Sequence, residues 1–180
     1  RTVPSLLRNQ RPPLPVVVDV RDAGVRGPVQ SEAERLYRLE GDRLWRSVLF
    51  YCGDREIADD AVAEAFAQLV RRGSAVRDAR AWVWRSAFKI AGGELKDRSR
   101  FAPRDREPTY ELPEVSMLLT SILPKLPHKQ RASIVLHYYM DRPIRDVARI
   151  IESTPAAVAV HLHRGRKRIA QLLTEMRDEE

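Results

Sequence analysis

Prolines divide the last third of the chain into three short helical segments. Pro127 suits the first turn of a helix, because its missing N–H removes no helical hydrogen bond. Pro143 ends that helix, since a proline pushes the residue before it out of the helical region. Pro155 follows the hydroxyl residues Ser153 and Thr154, which are N-cap candidates, and so predicts a third helix. We interpret this punctuation as a helix-turn-helix.

Apolar residues recur at the helical period in these segments, and the third segment adds a basic face. The apolar positions are Ile134, Val135, Tyr138 and Tyr139, then Ile144, Val147, Ala148 and Ile151, and finally Val158, Leu162, Ile169 and Leu172. The basic face comprises His161, His163, Arg164, Arg166, Lys167 and Arg168. Ala156 and Ala157 keep the start of the third helix slim, which suits insertion into the major groove of DNA. A three-helix bundle with a solvated basic face is the alternative.

The charge balance points to a polyanionic partner. The chain has 32 Lys and Arg against 25 Asp and Glu, a net charge of +7. Nucleic acid or an anionic membrane surface would satisfy this excess. No apolar run approaches the roughly 20 residues that span a bilayer, and prolines and charges interrupt the opening residues where a signal peptide needs an apolar stretch. We expect a cytoplasmic protein without a membrane partner.

Reactive side chains show no pattern typical of an enzyme. Cys52 is the only cysteine, which excludes an internal disulfide and fits a reducing cytoplasm; we expect it to be a small core residue. The four histidines lack a recognised zinc spacing, and His161 and His163 point in different directions on a helix. Without a phosphate-binding glycine loop or a nucleophile–base pair, we expect no catalytic residue, metal, cofactor or small-molecule substrate.

Three longer helices are predicted between residues 31 and 98. Ser31 and Glu34 form a capping-box pattern, and Gly53-Asp54 separates the first helix from the second. The predicted inward positions are Leu36, Leu39, Leu44, Val48, Leu49 and Tyr51, then Ile57, Ala61, Ala65, Phe66, Leu69 and Val70. The second helix also carries an acidic stripe, comprising Asp59, Asp60, Glu64 and Gln68. This stripe is either a solvated face or a docking site for a basic partner.

The third helix, predicted over residues 78–98, carries Trp82 and Trp84 among basic residues. That arrangement suits stacking on unpaired bases within a positive groove. Helical positions two apart point in nearly opposite directions, so at least one tryptophan is expected in the core. The Gly92-Gly93 pair weakens the helix and indicates a bend or a close backbone approach.

The whole pattern predicts an all-α fold with two small helical domains joined by a flexible linker. Residues 1–30 are rich in Pro, Arg and Gly and are predicted to be disordered. Residues 31–98 form the first predicted domain, and the polar, proline-containing residues 99–113 form the linker. Residues 114–180 form the second domain, which contains the helix-turn-helix.

Four stretches resemble the extracytoplasmic-function (ECF) class of bacterial sigma factors. Residues 53–66, GDREIADDAVAEAF, are similar to GDREDAEDLVQEAF of sigma domain two, and residues 80–85, RAWVWR, are similar to RAWLYRIA. Leu126-Pro127, Gln130-Arg131, Tyr138 and Val147-Ala148 follow the domain-four pattern LPxxQRxxxxLRYxxxxSxxEIA, and residues 162–169, LHRGRKRI, are similar to LHRARxRL. The order and spacing of these four stretches together are specific to the class. The resemblance covers about residues 32–173.

The resemblance implies a bacterial, nucleoid-associated protein that binds the β′ and β subunits of core RNA polymerase and directs promoter recognition and opening. It assigns contacts with the polymerase clamp to Asp60, Glu64 and Gln68. It assigns contacts with melted minus-ten DNA to Arg80, Trp84, Arg85, Lys89 and Lys96. It assigns contacts with minus-thirty-five duplex to Thr154, Ala157, His161, His163, Arg164 and Lys167. Many members are held by an anti-sigma factor, so such a partner is also implied.

Five positions depart from the class pattern. Ala63 replaces the usual glutamine of a QE pair, Lys89 a frequent asparagine, Gly93 a frequent aspartate, Glu152 the glycine of the domain-four turn, and Ala159 a basic residue. Two alternatives therefore stay open: a sigma-like polymerase-binding protein with degenerate promoter readout, and a stand-alone helix-turn-helix transcriptional regulator. The acidic stripe disfavours the second, which has no need of it.

Overall fold

A computed structural model describes residues 31–101 and 121–178, with side chains described for residues 31–97 and 121–178. Every regular element in these two ranges is helical, which confirms the all-α prediction. None of the described helices is long and apolar enough to cross a membrane. The predicted disordered segment, residues 1–30, and most of the predicted linker lie outside the described residues.

Six α-helices form two units, residues 31–101 (the N-terminal unit) and residues 121–178 (the C-terminal unit). The helices are α1 (Glu32–Cys52), α2 (Arg55–Arg72), α3 (Ala79–Phe101), α4 (His128–Ile134), α5 (Ile144–Ile150) and α6 (Pro155–Asp178). Short 3₁₀ turns occupy Gly73–Ala75 and Leu123–Lys125, and a π-helical turn, Val135–Tyr139, extends α4. Helix α3 continues three residues past its predicted end and into the segment predicted as linker.

Local capping explains where these helices begin. The Ser31 side chain accepts a hydrogen bond from the Glu34 N–H, and the Glu34 carboxylate accepts one from the Ser31 N–H, so the predicted capping box is confirmed. Gly53 ends α1 with a φ of 70°, a left-handed conformation that glycine adopts without steric cost. Asp54 then caps α2 by accepting from the Ile57 N–H at 3.2 Å. Thr154 caps α6 in the same way.

Helices α1, α2 and α3 pack around apolar side chains that include Leu44, Trp84 and the predicted core residue Cys52. Two inward predictions are wrong, because Leu39 is 76% exposed and Val70 is 60% exposed. Each lies one residue away from a buried stripe of its helix, which corresponds to about 100° around the axis. A rotation of about 100° is enough for a side chain to point to solvent although its neighbour in sequence is buried.

One buried arginine holds the start of the C-terminal unit together. Arg131 is 6% exposed, and its guanidinium donates hydrogen bonds to three backbone carbonyls, those of Tyr51, Pro124 and Leu126. The distances are 3.0, 2.7 and 3.1 Å in that order. Since Tyr51 belongs to α1, Arg131 also ties the C-terminal unit to the N-terminal unit.

The two units pack against each other and share a continuous apolar core. The Phe50 and Tyr139 rings lie across the boundary with centroids 4.4 Å apart, so Tyr139, predicted on the apolar face, is 36% exposed and partly covered by α1.

Gly92 permits a close approach, because a Cβ atom there would lie 3.0 Å from the Tyr51 hydroxyl. The close backbone approach expected at the glycine pair therefore occurs at Gly92.

Candidate nucleic-acid interface

The acidic stripe on α2 divides into a structural half and a surface half. Asp59 accepts a 2.6 Å hydrogen bond from the Trp45 indole and pairs with Arg55 at 3.7 Å, so it supports the packing of α1 against α2. Asp60 is exposed, and Glu64 is partly exposed. The half available to a partner therefore begins at Asp60.

Glu64 and Gln68 form a small hydrogen-bonded group. The Glu64 carboxylate accepts from the Gln68 amide at 2.8 Å and from the Arg71 guanidinium at 2.7 Å. These two bonds, that from Gln68 first, hold the pKa of the Glu64 carboxyl below its usual value. Glu64 is therefore held in one orientation by two neighbours on α2.

Three of the basic side chains predicted to contact minus-ten DNA lie on α3 and are accessible to solvent. Arg80 and Lys96 are exposed, and Arg85 is partly exposed. The Arg80 guanidinium pairs with the Glu40 carboxylate at 2.7 Å. Lys89 is also exposed, and its ammonium lies 3.5 Å from the Glu152 carboxylate of the C-terminal unit. Arg80 and Lys89 are thus each paired with a carboxylate within the chain.

Trp84 cannot stack on a base in this arrangement, which corrects its assignment as a DNA contact. The side chain is 1% exposed, its indole N–H donates to Glu40 at 3.2 Å, and the Arg142 guanidinium lies 4.4 Å from its ring centroid. Trp82 is the partly exposed tryptophan, and it lies 5.7 Å from the Arg72 guanidinium carbon. The expectation that one of the two belongs to the core is confirmed.

Helix α6 presents its basic face to solvent. His163, Arg164 and Lys167 are exposed, as is Thr154 at the cap, while Ala157 and His161 are partly buried. Burial, followed by the nearby charges of Lys129 and Arg164, lowers the pKa of His161. At neutral pH this imidazole is therefore neutral, and it would contact DNA as a hydrogen-bonding group rather than as a cation.

The turn that precedes α6 contains the departure from the usual glycine. Glu152 adopts a φ of 50°, the left-handed conformation that a glycine would take without strain. The Ser153 N–H donates to the Ala148 carbonyl at 2.9 Å, which closes the end of α5. The turn of the helix-turn-helix therefore forms with a glutamate where a glycine is usual. The left-handed conformation of Glu152 strains its backbone.

Sequence reasoning missed two residues beside this surface. Tyr138 is 51% exposed rather than apolar core, and its hydroxyl accepts a 3.0 Å hydrogen bond from Arg166. Val160 is 46% exposed on α6, between the predicted contacts. The sequence signal for Val160 was its position one residue before His161, a predicted DNA contact. An apolar side chain at such a position can contact thymine methyl groups.

Comparison with protein families identifies the C-terminal unit. Residues 116–169 match the model described as sigma-70, region 4, a span that includes α4, α5, the turn at Glu152 and much of α6. The C-terminal unit is therefore similar to sigma-70 region 4. A search of curated proteins gives no match.

Solved structures extend the similarity to both units of this sigma-like chain. The sigma factor RpoE of Bartonella quintana, solved with the anti-sigma factor NepR, matches with a TM-score of 0.64 and 16% identity, over 78% of this chain and 96% of the other. CnrH, solved with the cytosolic domain of CnrY, matches with a TM-score of 0.61 and 22% identity, over 79% and 88%.

The Mycobacterium tuberculosis ECF sigma factor SigJ matches with a TM-score of 0.57 and 21% identity. The match covers 74% of this chain and 52% of SigJ. The chain therefore has the fold of an ECF sigma factor, and the resemblance inferred from its motifs is confirmed for the fold and for region 4.

Proposed function

We propose that the protein is an ECF-type sigma factor that binds core RNA polymerase and directs it to promoters. The observation that carries the proposal is the region 4 match, which coincides with a helix-turn-helix whose last helix exposes His163, Arg164 and Lys167. The family works by binding rather than by catalysis, so we assign no catalytic residue. The position of the N-terminal unit in the same chain fits a protein that contacts DNA and polymerase together.

In this proposal α6 enters the major groove of the minus-thirty-five element. The slim start of the helix, at Ala156 and Ala157, lets the backbone approach the bases, and Thr154 lies beside it at the cap. His163, Arg164 and Lys167 reach phosphates and base edges from the exposed face. Contacts of Arg164 and Lys167 with the DNA phosphates supply affinity, while His161 and Ala157 face the bases.

The N-terminal unit would contact melted minus-ten DNA with α3. We retain Arg80, Arg85, Lys89 and Lys96 as contacts and replace Trp84 with Trp82, because only Trp82 is at the surface. A partly exposed indole near the basic residues of α3 can stack on an unpaired base, and the cations neutralise the neighbouring phosphates. The unstacking cost of such a base is offset by these contacts.

The α2 surface formed by Asp60, Glu64 and Gln68 would dock on a basic helix of the polymerase clamp. Glu64→Lys should reduce polymerase affinity at least tenfold, because it places a cation against a basic surface and breaks the bonds from Gln68 and Arg71. Asp42→Lys is the matched control, since it reverses one exposed charge on α1, outside this surface. Equal affinity of the Glu64 variant and the control would refute the docking assignment.

Run-off transcription tests the function as a whole. Purified bacterial core polymerase is incubated with a pool of genomic fragments, with and without the protein, and new transcripts are mapped. Discrete start sites with shared upstream motifs would establish a sigma factor. Polymerase binding without initiation would favour the sigma-like protein with degenerate readout, and duplex binding without polymerase binding would favour the stand-alone regulator.

We also propose an anti-sigma factor as a regulatory partner in the bacterial cytoplasm. RpoE of Bartonella quintana was solved with an anti-sigma factor. The present chain shares the fold across both units, so a protein that covers α2 and the C-terminal unit would block polymerase binding. Co-purification of the tagged protein from its host would reveal such a partner, and a stoichiometric inhibitor of run-off transcription would be expected.

A further inference from the structure

Val160 lies at the centre of the solvent-exposed face of α6. Its side chain is 46% exposed, whereas Val158, two residues before it, and Leu162, two residues after it, are both buried. Helical positions two apart point about 200° apart around the axis. Val160 therefore points almost directly away from the core of the C-terminal unit.

The same face of α6 carries cations suited to a polyanionic partner. Arg164 is exposed one turn after Val160, and Lys167 is exposed two turns after it. Positions four and seven residues apart lie on the same side of a helix. A DNA backbone held by Arg164 and Lys167 would thus bring the edges of the neighbouring bases against Val160.

Two of the predicted minus-thirty-five contacts lie beside Val160 on the edge of this face. Ala157 and His161 are partly buried, and each is next in sequence to a buried residue of α6. Because Val160 is turned further from that buried side, it projects further from the C-terminal unit than either neighbour. In a major groove, Val160 would lie closest to the base edges.

The apolar side chain of Val160 limits what it recognises. An isopropyl group has no donor or acceptor for the hydrogen-bonding edges of the bases. In the major groove, the apolar group that distinguishes one base pair from another is the 5-methyl group of thymine. Contact between that methyl group and an aliphatic side chain is favourable, because both surfaces leave water. An aliphatic residue at this position therefore favours thymine.

The residues around Val160 supply no side-chain hydrogen bond that would compete with this contact. Residues 155–160, PAAVAV, carry no polar side chain, and Val160 is the largest exposed residue among them. Ala159 is exposed and stands where the class usually has a basic residue. Its short side chain leaves Val160 as the main group that the first two turns of α6 present to a base.

We propose that Val160 determines promoter specificity by contacting the 5-methyl group of a thymine in the minus-thirty-five duplex. The inference deepens the proposed function and rests on its assignment of α6 as the DNA-reading helix. Arg164 and Lys167 supply affinity for any sequence, and Val160 selects among sequences. Preferred sites should therefore contain a T·A pair opposite Val160, and affinity should depend on its methyl group.

Binding-site selection locates this base pair. The full chain, bound to core RNA polymerase, selects duplexes from a pool with a randomised upstream segment, and the selection is repeated with the chain alone. Wild type should retain a T·A pair at one position, and Val160→Ala should lose the preference at that position alone. Alanine is the best helix former and the site is on the surface, so the variant should keep the circular dichroism of wild type.

Deoxyuridine then tests the methyl group itself, because it pairs as thymidine does and lacks only that group. With deoxyuridine at the selected position, wild type should bind about fourfold more weakly, the effect of returning one buried methyl group to water. Val160→Ala should bind the two duplexes equally. Leu173→Ala is the matched control, since Leu173 is 40% exposed on α6 beyond the basic residues, and it should show the same fourfold loss as wild type.

A second modified base separates the methyl group from the other features of thymine. Replacing the T·A pair by C·G removes the methyl group and also changes the hydrogen-bonding edge of the base. 5-Methylcytosine returns the methyl group alone. Wild type should bind the methylated duplex about fourfold more tightly than the unmethylated one, and Val160→Ala should not distinguish them.

The outcomes separate this inference from the proposed function. Selected sites that bind equally well with deoxyuridine at every thymine would overturn the role of Val160 and leave the sigma-factor function standing. A methyl effect in the chain alone, without polymerase binding, would support Val160 and refute the sigma factor. Selection of no duplex would refute both. Weaker polymerase binding by Val160→Ala, with an unchanged response to deoxyuridine, would assign Val160 to a protein contact and overturn the inference.

Discussion

Arg131→Met should destabilise the protein by about 3 kcal/mol, because the buried guanidinium supplies three backbone carbonyls with their hydrogen-bond donor. Methionine keeps most of the aliphatic stem and its packing, so the change isolates the loss of the donors.

The size of this destabilisation follows from the burial of the three hydrogen bonds: those to Tyr51 and Leu126 are buried, and that to Pro124 is partly buried. Each buried carbonyl left without a donor costs roughly 1–3 kcal/mol, and the partly buried one costs less because water can reach it. Removing the guanidinium also removes the cost of burying a charge, which offsets part of this loss. The net loss of about 3 kcal/mol is a large share of the roughly 5–15 kcal/mol that stabilises a typical domain.

Urea unfolding of the full chain, followed by circular dichroism, measures the effect. With a slope of about 2 kcal/mol per molar, the midpoint should fall by about 1.5 M. Arg149→Met is the control: Arg149 is exposed and pairs with Asp146 at 3.3 Å, so its loss should cost less than about 0.5 kcal/mol. A loss below about 1 kcal/mol for Arg131→Met would refute the assigned role.

Three further predictions concern the turn, the buried thiol and the DNA-reading helix. Glu152→Gly should raise the free energy of unfolding by about 1 kcal/mol, since it relieves a left-handed conformation; no gain in urea unfolding would exclude strain there. Burial raises the pKa of the Cys52 thiol to about 12 from its ordinary 9.0, so above about pH 9 this thiol ionises only in the unfolded chain and stability should fall; Cys52→Ala should lessen that fall. Arg164→Ala should reduce the salt slope of minus-thirty-five binding by about one unit, unlike Arg177→Ala, and an unchanged slope would remove Arg164 from the phosphate contacts.

The sequence predicts what local chemistry decides. Ser31, Asp54 and Thr154 cap their helices as expected, because a hydroxyl or carboxylate next to a helix start needs only the following three residues to make its bond. Gly53 ends α1 for an equally local reason, its left-handed φ. Boundaries shift where such signals are missing: α3 continues to Phe101 through a stretch of sequence without a proline.

The candidate site is less predictable, because burial there depends on partners that are distant in sequence. Trp82 and Trp84 are indistinguishable by spacing, and Trp84 becomes core only because Glu40 accepts its N–H and Arg142 covers its ring. These partners are 44 residues before it and 58 after it in the numbering. Periodicity states that the two tryptophans face apart, and it leaves open which of them faces the core.

The same limit explains why the contact between the two units is not predicted from the sequence. The helical period places Tyr139 on an apolar face, yet a single helix cannot show that this face meets Phe50 across the chain. The units are joined by groups of mixed character: an aromatic pair, the Arg131 bond to Tyr51, and the contacts of Arg142. None of these contacts joins residues that are near each other in sequence, so the helical period of either partner alone does not predict them.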